Sequence, residues 1–328
     1  MTTVSDQLRE YGGVPVGAGR LAKLFQAGNI FFVDGDHGQD GWTGKSPRKA
    51  VAKPSVAVGL AEKEGIIYIR PKTSAVNDDV YYSDNIVVPI AKPHIQLIGA
   101  GAGTVPGYRG AAQIRPLVDT ANIIEVRSSG VCIGNLHINN TGGWEYASTI
   151  RCGRSPTYPG AVAIQVRHCR IISDVLGSYG VALESAQYCI VEDNMFLDCN
   201  IGIYLTATHG SPQNHTVRRN IFSGLVAKRN CDIGINMTDI NSKGHVIDSN
   251  IFTDGLPNKA GEFTTRFIFD TAAATSVATG IISNNFFSDT SAIASVDGFG
   301  KTGASGIIGE YWRFVGNYNE IGLIPRKD

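Results

Sequence analysis

VEDNMF, residues Val191–Phe196, is one copy of a pattern that returns as VRRNIF at 217–222, IDSNIF at 247–252 and ISNNFF at 282–287. Each copy places an aliphatic residue first, two variable residues next, then an Asn, one further residue and a Phe. The copies start at Val191, Val217, Ile247 and Ile282, so the spacing is 26, 30 and 35 residues. Weaker copies lie at IGNLHI (133–138), VRHCRI (166–171) and FVGNYN (314–319), and short apolar partners follow at GVAL (180–183), GIYL (202–205), GINM (234–237) and RFIF (266–269). These segments are short, alternating and rich in β-branched and aromatic residues, with Gly, Asn and Asp between them. They predict strands joined by turns, and no helical period is evident between residues 90 and 320.

A repeat of this length with two or three strands cannot enclose a core alone, so neighbouring copies must stack. Propeller blades need four strands per unit and a more constant length. A parallel β-helix absorbs unequal spacing in its turns while the strands keep register. The pattern predicts an all-β, right-handed parallel β-helix of roughly nine rungs. Asn tolerates the left-handed backbone and its amide bonds to nearby backbone at bends. Asn194, Asn220, Asn250, Asn285 and Asn317 are therefore expected to make the bend and stack as a ladder, with Phe196, Phe222, Phe252 and Phe287 stacked inside the coil about 4.8 Å apart.

Composition narrows the partners. The 328 residues carry 29 basic and 29 acidic side chains, a charged fraction of 18% and 39 Gly. A neutral chain has no general attraction to nucleic acid or an anionic membrane. No apolar run reaches the length of a membrane span, and the N-terminus lacks the pattern of a secretory signal, so synthesis and assembly in a cytoplasm are expected. Cys132, Cys152, Cys169, Cys189, Cys199 and Cys231 form no CxxC pair. Buried reduced thiols are the expectation, RHC at 167–169 being the nearest approach to a zinc motif.

Upstream of the repeats the chain reads FFVDGDHGQDGWTGKSPRKAVAKPSVAVGLAEKEGIIYIRP, from Phe31 to Pro71. Pro54 is placed to open a helix, Gly65 to close it, and IIYI to supply a strand. This stretch resembles the entry segment of the pectate-lyase-like right-handed β-helix superfamily, the matching residues being Val33, Asp34, Gly38, Asp40, Gly41, Thr43, Gly44, Ser46 and Pro47. HIQLIGAGAGT at 94–104 is similar to that family's first rungs. The resemblance implies a single β-helix domain over residues 31–328 with a capping segment at 31–71. It says little about activity, because the fold hosts lyases, hydrolases, adhesins and phage virion proteins. Residues 1–30 stand outside the pattern. VSDQLREYGG predicts a short helix capped by Ser5 and stopped by Gly12 and Gly13. An arm ahead of a neutral β-helix resembles phage tailspikes and head-decoration proteins, where such a segment docks on the particle and the chains form trimers. The alternative is an arm that covers the open end of the solenoid.

Three patterns are candidates for chemistry, each with a structural competitor. Position two of the repeat reads Arg167, Glu192, Arg218, Asp248. Lyases of the superfamily use Arg and acidic calcium ligands on such a face, yet alternating sign fits an outward salt-bridge ladder in which Glu192 answers Arg167 and Arg218. Two residues after the Phe come Asp198, Gly224, Asp254 and Asp289. Stacked carboxylates there would have glycosidase-like separations, although a slot holding Asp or Gly is also a turn. THG at 208–210 is a fragment of the hydrolase signature. In the insertion at 139–161, Trp144 and Tyr146 could stack on sugar faces with Glu145, Arg151 and Arg154 as polar contacts, Trp144 and Tyr158 could anchor a neighbouring subunit, or the loop packs on its own coil. GAGAG (99–103) lacks dinucleotide spacing, GASG (303–306) is no nucleophile elbow, and DGDHGQDG (34–41) places Lys45 where a calcium loop needs Glu. No catalytic residue, metal or cofactor is assigned. The expected function is a phage virion structural protein, a capsid decoration or tail spike, present as a homotrimer. Its expected partners are itself, a capsid or tail protein through the arm, and host surface polysaccharide. The alternatives are a polysaccharide lyase or glycoside hydrolase acting as a tailspike depolymerase, and a non-enzymatic adhesin.

Overall fold

The computed structural model describes residues 29–73, 80–101, 111–117, 122–140, 148–153, 161–173, 177–206, 212–224, 233–238, 243–253, 266–270, 279–287, 299–301, 312–319 and 322–323. Within them, from Ile66–Ile69 to Trp312–Val315, the chain winds through three sheets in turn, so that each turn of the coil adds one strand to each sheet. The first sheet has ten strands, from Ile30–Val33 to Trp312–Val315, and the second has ten, from Tyr81–Ser83 to Gly322–Leu323. The third has eight, from Ile86–Val88 to Phe299–Lys301, and carries the GVAL, GIYL, GINM and RFIF segments. All pairings are parallel except that of Tyr318–Asn319 with Gly322–Leu323. This is a parallel β-helix.

The hexapeptide is the corner between the first and second sheets. Val191, Val217, Ile247 and Ile282 are in register on the first sheet and buried. Phe196, Phe222, Phe252 and Phe287 are in register on the second, also buried. Their rings stack with centroids 4.8, 4.7 and 5.0 Å apart and interplanar angles of 8°, 5° and 13°. Strand spacing in a sheet and the stacking distance of aromatic rings are close to equal, so one register serves both.

Between them the five Asn side chains point inward and are 3% exposed or less. Asn220 Nδ2 donates to the Val191 carbonyl at 2.8 Å and to Asn250 Oδ1 at 3.0 Å, while its Oδ1 accepts from the Asn194 backbone N–H at 3.1 Å and from Asn194 Nδ2 at 3.0 Å. The same set recurs at Asn250 and Asn285, and Asn317 closes it by accepting from Asn285 and donating to the Ile282 carbonyl. Pairing between rungs continues at the residues on either side, as in Asp193 N–H to the Arg218 carbonyl at 3.2 Å, while the amide serves the Asn N–H and the carbonyl of the first position. The bend itself is made one residue earlier than the sequence suggested. The positive-φ residues are Asp193, Arg219, Ser249, Asn284 and Gly316, the residues before each Asn. A side chain committed to an inward ladder needs an ordinary backbone, so the left-handed conformation moves to the variable, outward position.

The Gly that opens GVAL and GIYL makes room for the Phe stack. A Cβ on Gly180 would lie 2.9 Å from Phe196 Cδ1, and one on Gly202 would lie 2.7 Å from Phe222 Cε1. At the entry, strand Ile30–Val33 pairs with Ile66–Ile69 and the helix Pro54–Leu60 packs Ala57 and Val58 into the core. Pro54 opens that helix as expected, and Asp84 Oδ2 accepts from the Ser55 backbone N–H at 2.7 Å at its N-terminus. The helix ends at Leu60 rather than at Gly65, where a Cβ would meet the Ala61 Cβ at 2.9 Å. No helix among the described residues is long and apolar enough to cross a membrane.

Candidate functional site

The outer face of the first sheet carries the alternating charge column. Arg167, Glu192, Arg218 and Asp248 are in register there. Glu192 Oε2 pairs with Arg218 Nη2 at 2.7 Å and with Arg219 Nη2 at 3.0 Å, and Arg219 also holds Asp193 at 2.7 Å. Bonding to the Arg219 guanidinium holds the Asp193 carboxyl below its ordinary range. Arg167 departs from the expected ladder. Its Nε and Nη2 face Cys132 Sγ on the preceding strand at 3.4 and 3.3 Å, away from Glu192. Asp248 accepts instead from Ser283 at 2.6 Å, Ser249 at 2.9 Å and Asn284 at 2.9 Å.

On the third sheet Glu125, Arg151, Ala182, Tyr204 and Asn236 form one outward column. Arg151 Nη2 pairs with Glu184 Oε1 at 2.6 Å, and Arg127 Nε donates to Glu125 Oε1 at 2.7 Å. Tyr179 and Tyr204 stack at 4.3 Å with an interplanar angle of 5°, and Thr238 Oγ1 donates to the Tyr204 hydroxyl at 3.3 Å. Glu125, Glu184, Glu192 and Asp248 are the acidic strand residues whose side chains are described, and each is bound by a cation or by hydrogen-bond donors. General acid–base or nucleophilic work on a glycosidic bond needs carboxylates left free to meet substrate. These four are engaged within the coil's own surface network.

The second sheet carries a cluster that the sequence reading passed over. His137 and Arg170 are adjacent in one outward column, and Arg115 stands in the neighbouring column next to Asn139. The Arg115 guanidinium lies 4.1 Å over the Tyr81 ring. Burial, and then the charges of Arg170 and Arg115, push the His137 imidazole down to about 4. The signal was available at the fifth position of the hexapeptide. It reads His137, Arg170, Met195, Ile221, Ile251, Phe286, Tyr318, basic at one end of the coil and apolar at the other.

Other nominated residues fall into structural roles. Asp198 is buried with φ 50°, which favours its turn reading, and Gly224 is buried. Asp254, Asp289, Trp144, Glu145, Tyr146, Arg154, Tyr158, the THG and GASG segments, Cys231 and residues 1–28 lie outside the described residues. Cys132, Cys152, Cys169, Cys189 and Cys199 are buried free thiols, and burial raises Cys169 and Cys189 to about 12. In the entry loop Asp34, Asp36 and His37 bring potential ligand atoms within 4.8 Å of one another. Asp34 is bound by Arg70 Nη1 at 2.7 Å, and Asp36 accepts from Thr73 N at 2.7 Å and Oγ1 at 2.8 Å, so these acids brace the loop. His215 and His245 form a second inward ladder. The His215 Nδ1 accepts from the Cys189 N–H at 3.2 Å, the His245 Nδ1 from the His215 N–H at 3.3 Å, and the rings stack at 5.1 Å.

No protein-family profile and no curated protein matches the chain. Solved structures do. A pectin methylesterase from carrot superposes with a TM-score of 0.51 at 15% identity, over 90% of this chain and 86% of its own. A pectin methylesterase from Aspergillus niger gives 0.42 at 13% identity over 92% of each chain. The Escherichia coli protein ybhc gives 0.40 at 13% identity over 88% of this chain and 84% of its own. Likeness at this level of identity speaks to backbone arrangement and not to chemistry. With three parallel sheets, an inward Asn ladder at one corner and a short entry helix, the chain is a right-handed parallel β-helix of the pectate-lyase-like fold.

Proposed function

We propose that the chain is a non-enzymatic structural and attachment protein, of the kind that decorates a phage head or tail. In this reading it is a homotrimer whose N-terminal arm faces the particle and whose outer surface meets host glycan. The observation that carries the reading is the state of the strand acids. Glu125, Glu184, Glu192 and Asp248 are each held within the coil's own surface network. Self-association has separate support at the C-terminal end of the second sheet. Ile251, Phe286 and Tyr318 form one register column and are 41, 38 and 45% exposed. A contiguous exposed apolar stripe of that kind favours burial against another surface. The test uses the full chain. Sedimentation equilibrium should return three times the chain mass of 35.0 kDa, and incubation with capsular polysaccharide should release neither reducing ends nor unsaturated uronates. A monomer would remove the trimer.

A polysaccharide-processing enzyme is the second reading, favoured by one feature. Arg151 carries a buried Nε with no hydrogen-bond partner beside Glu184, which is 5% exposed, on the face that also bears the stacked tyrosines. Turnover of a polysaccharide that disappears in Glu184→Gln would establish it.

A further inference from the structure

We infer that the outer face of the second sheet, where Arg115, His137 and Arg170 lie together, binds a small oxyanion, a carboxylate or phosphate group of a ligand. The inference goes beyond the structural role proposed above and does not depend on it. Its basis is unmet hydrogen bonding. Arg115 Nε, Arg170 Nε and His137 Nε2 are all buried and none has a partner. Buried N–H groups are nearly always paired, because one left without an acceptor forfeits its hydration. Three such atoms fall on three consecutive strands: His137 pairs in register with both Gln113 and Arg170, and Arg115 follows Gln113 by two residues on the same face.

Charge points the same way. Asp198 is the acidic group that acts on Arg170, and Arg115 forms no ion pair among the described residues. Among the described residues two guanidinium groups therefore meet one carboxylate, leaving a positive excess around the imidazole. Asn139, 7% exposed and two residues after His137 on the same strand, adds a buried amide atom without a partner. Rotating that amide half a turn would present N–H instead of oxygen. An oxyanion offers acceptors to both Arg Nε–H groups and to His137, and guanidinium is suited to planar carboxylate and to phosphate alike.

The Arg115 ring contact fixes where its head group lies, over Tyr81 and toward the entry end of the coil. The opposite end of the same outward column is apolar, so the site is confined to the first rungs of the second sheet.

The experiment follows the His137 ring signals of isotopically labelled full-length protein by NMR, titrating inorganic phosphate in one arm and acetate in another. Chloride at matched ionic strength is the control. The expected result is a saturable change at His137 and a rise of its titration midpoint from about 4 by a unit or more, which chloride does not reproduce. Preference for phosphate or for acetate identifies which source of oxyanion the site takes. Arg115→Gln and Arg170→Gln should each weaken the response about tenfold, and Arg115→Lys, which keeps charge but lacks the Nε–H fork, should fall between. Circular dichroism confirms that each variant is folded, and the Lys variant decides the matter should a Gln variant not fold. An unmoved His137 midpoint in both arms, or an equal response in the folded Arg variants, overturns the inference.

Discussion

Replacing Asn220 with Ala is the most demanding test of how this solenoid holds its corner. The side chain is fully buried and takes part in four hydrogen bonds, to the Val191 carbonyl, Asn250 Oδ1, the Asn194 N–H and Asn194 Nδ2. Ala leaves the Asn194 backbone N–H, one amide hydrogen of Asn194 and the Val191 carbonyl, all on buried residues, without these partners. At about 1–3 kcal/mol for each orphaned group, with partial relaxation, the loss should be roughly 3–6 kcal/mol. Against a typical domain stability of about 5–15 kcal/mol, that is a large fraction. Urea unfolding at neutral pH measures it, and amide exchange at Asn194 reports whether the corner opens locally before the coil unfolds. Glu192→Gln is the matched control, because its ion pairs are made with half-exposed arginines and are screened by water. A loss below about 1 kcal/mol for Asn220→Ala, with Asn194 exchange unchanged, would refute the claim that the amide replaces backbone pairing.

Two further outcomes are expected. Gly202→Ala should destabilise by about 1–3 kcal/mol, since its Cβ would meet the Gly234 carbonyl oxygen at 2.6 Å and Phe222 at 2.7 Å. Adding Phe222→Leu should recover part of that loss, and a strictly additive double variant would show that the Gly does not serve the Phe stack. Acid should weaken the fold before the carboxylates titrate. Burial holds His245 near about 4 and His215 well below its ordinary value, whereas the unfolded chain titrates near 6.5. Folded pKa values below unfolded ones mean that the unfolded state binds more protons in between. Stability is thus full above about pH 6.5 and falls as pH drops toward 4, by up to about 1.4 kcal/mol per pH unit for each histidine. Urea midpoints measured from about pH 7 to about pH 5 check this, and a flat profile would contradict it.

Much of the fold was legible because a solenoid repeats its local environments, so a single hexapeptide reports one corner many times. The inward Asn and Phe columns follow from that repetition alone. The left-handed residue did not, because Asp193, Arg219, Ser249 and Asn284 share no side-chain type and the propensity of Asn for that conformation pointed one position too far. Gly180 and Gly202 look like turn residues in sequence, and only the distance to Phe196 and Phe222 shows that they lie on a strand. The direction of Arg167 toward Cys132 is a rotamer choice between two neighbouring strands, which charge alternation cannot foresee. The basic cluster was missed for a different reason. Position five changes residue type along the coil as its environment changes, so no constant signature marks it.

Electron microscopy of assembled phage particles carrying an affinity-labelled copy of the chain tests the proposed particle role. Label is expected at fixed surface positions in threefold clusters, with the N-terminal end of each coil toward the particle. Particles that assemble without label, while the protein remains in the soluble fraction, would contradict it.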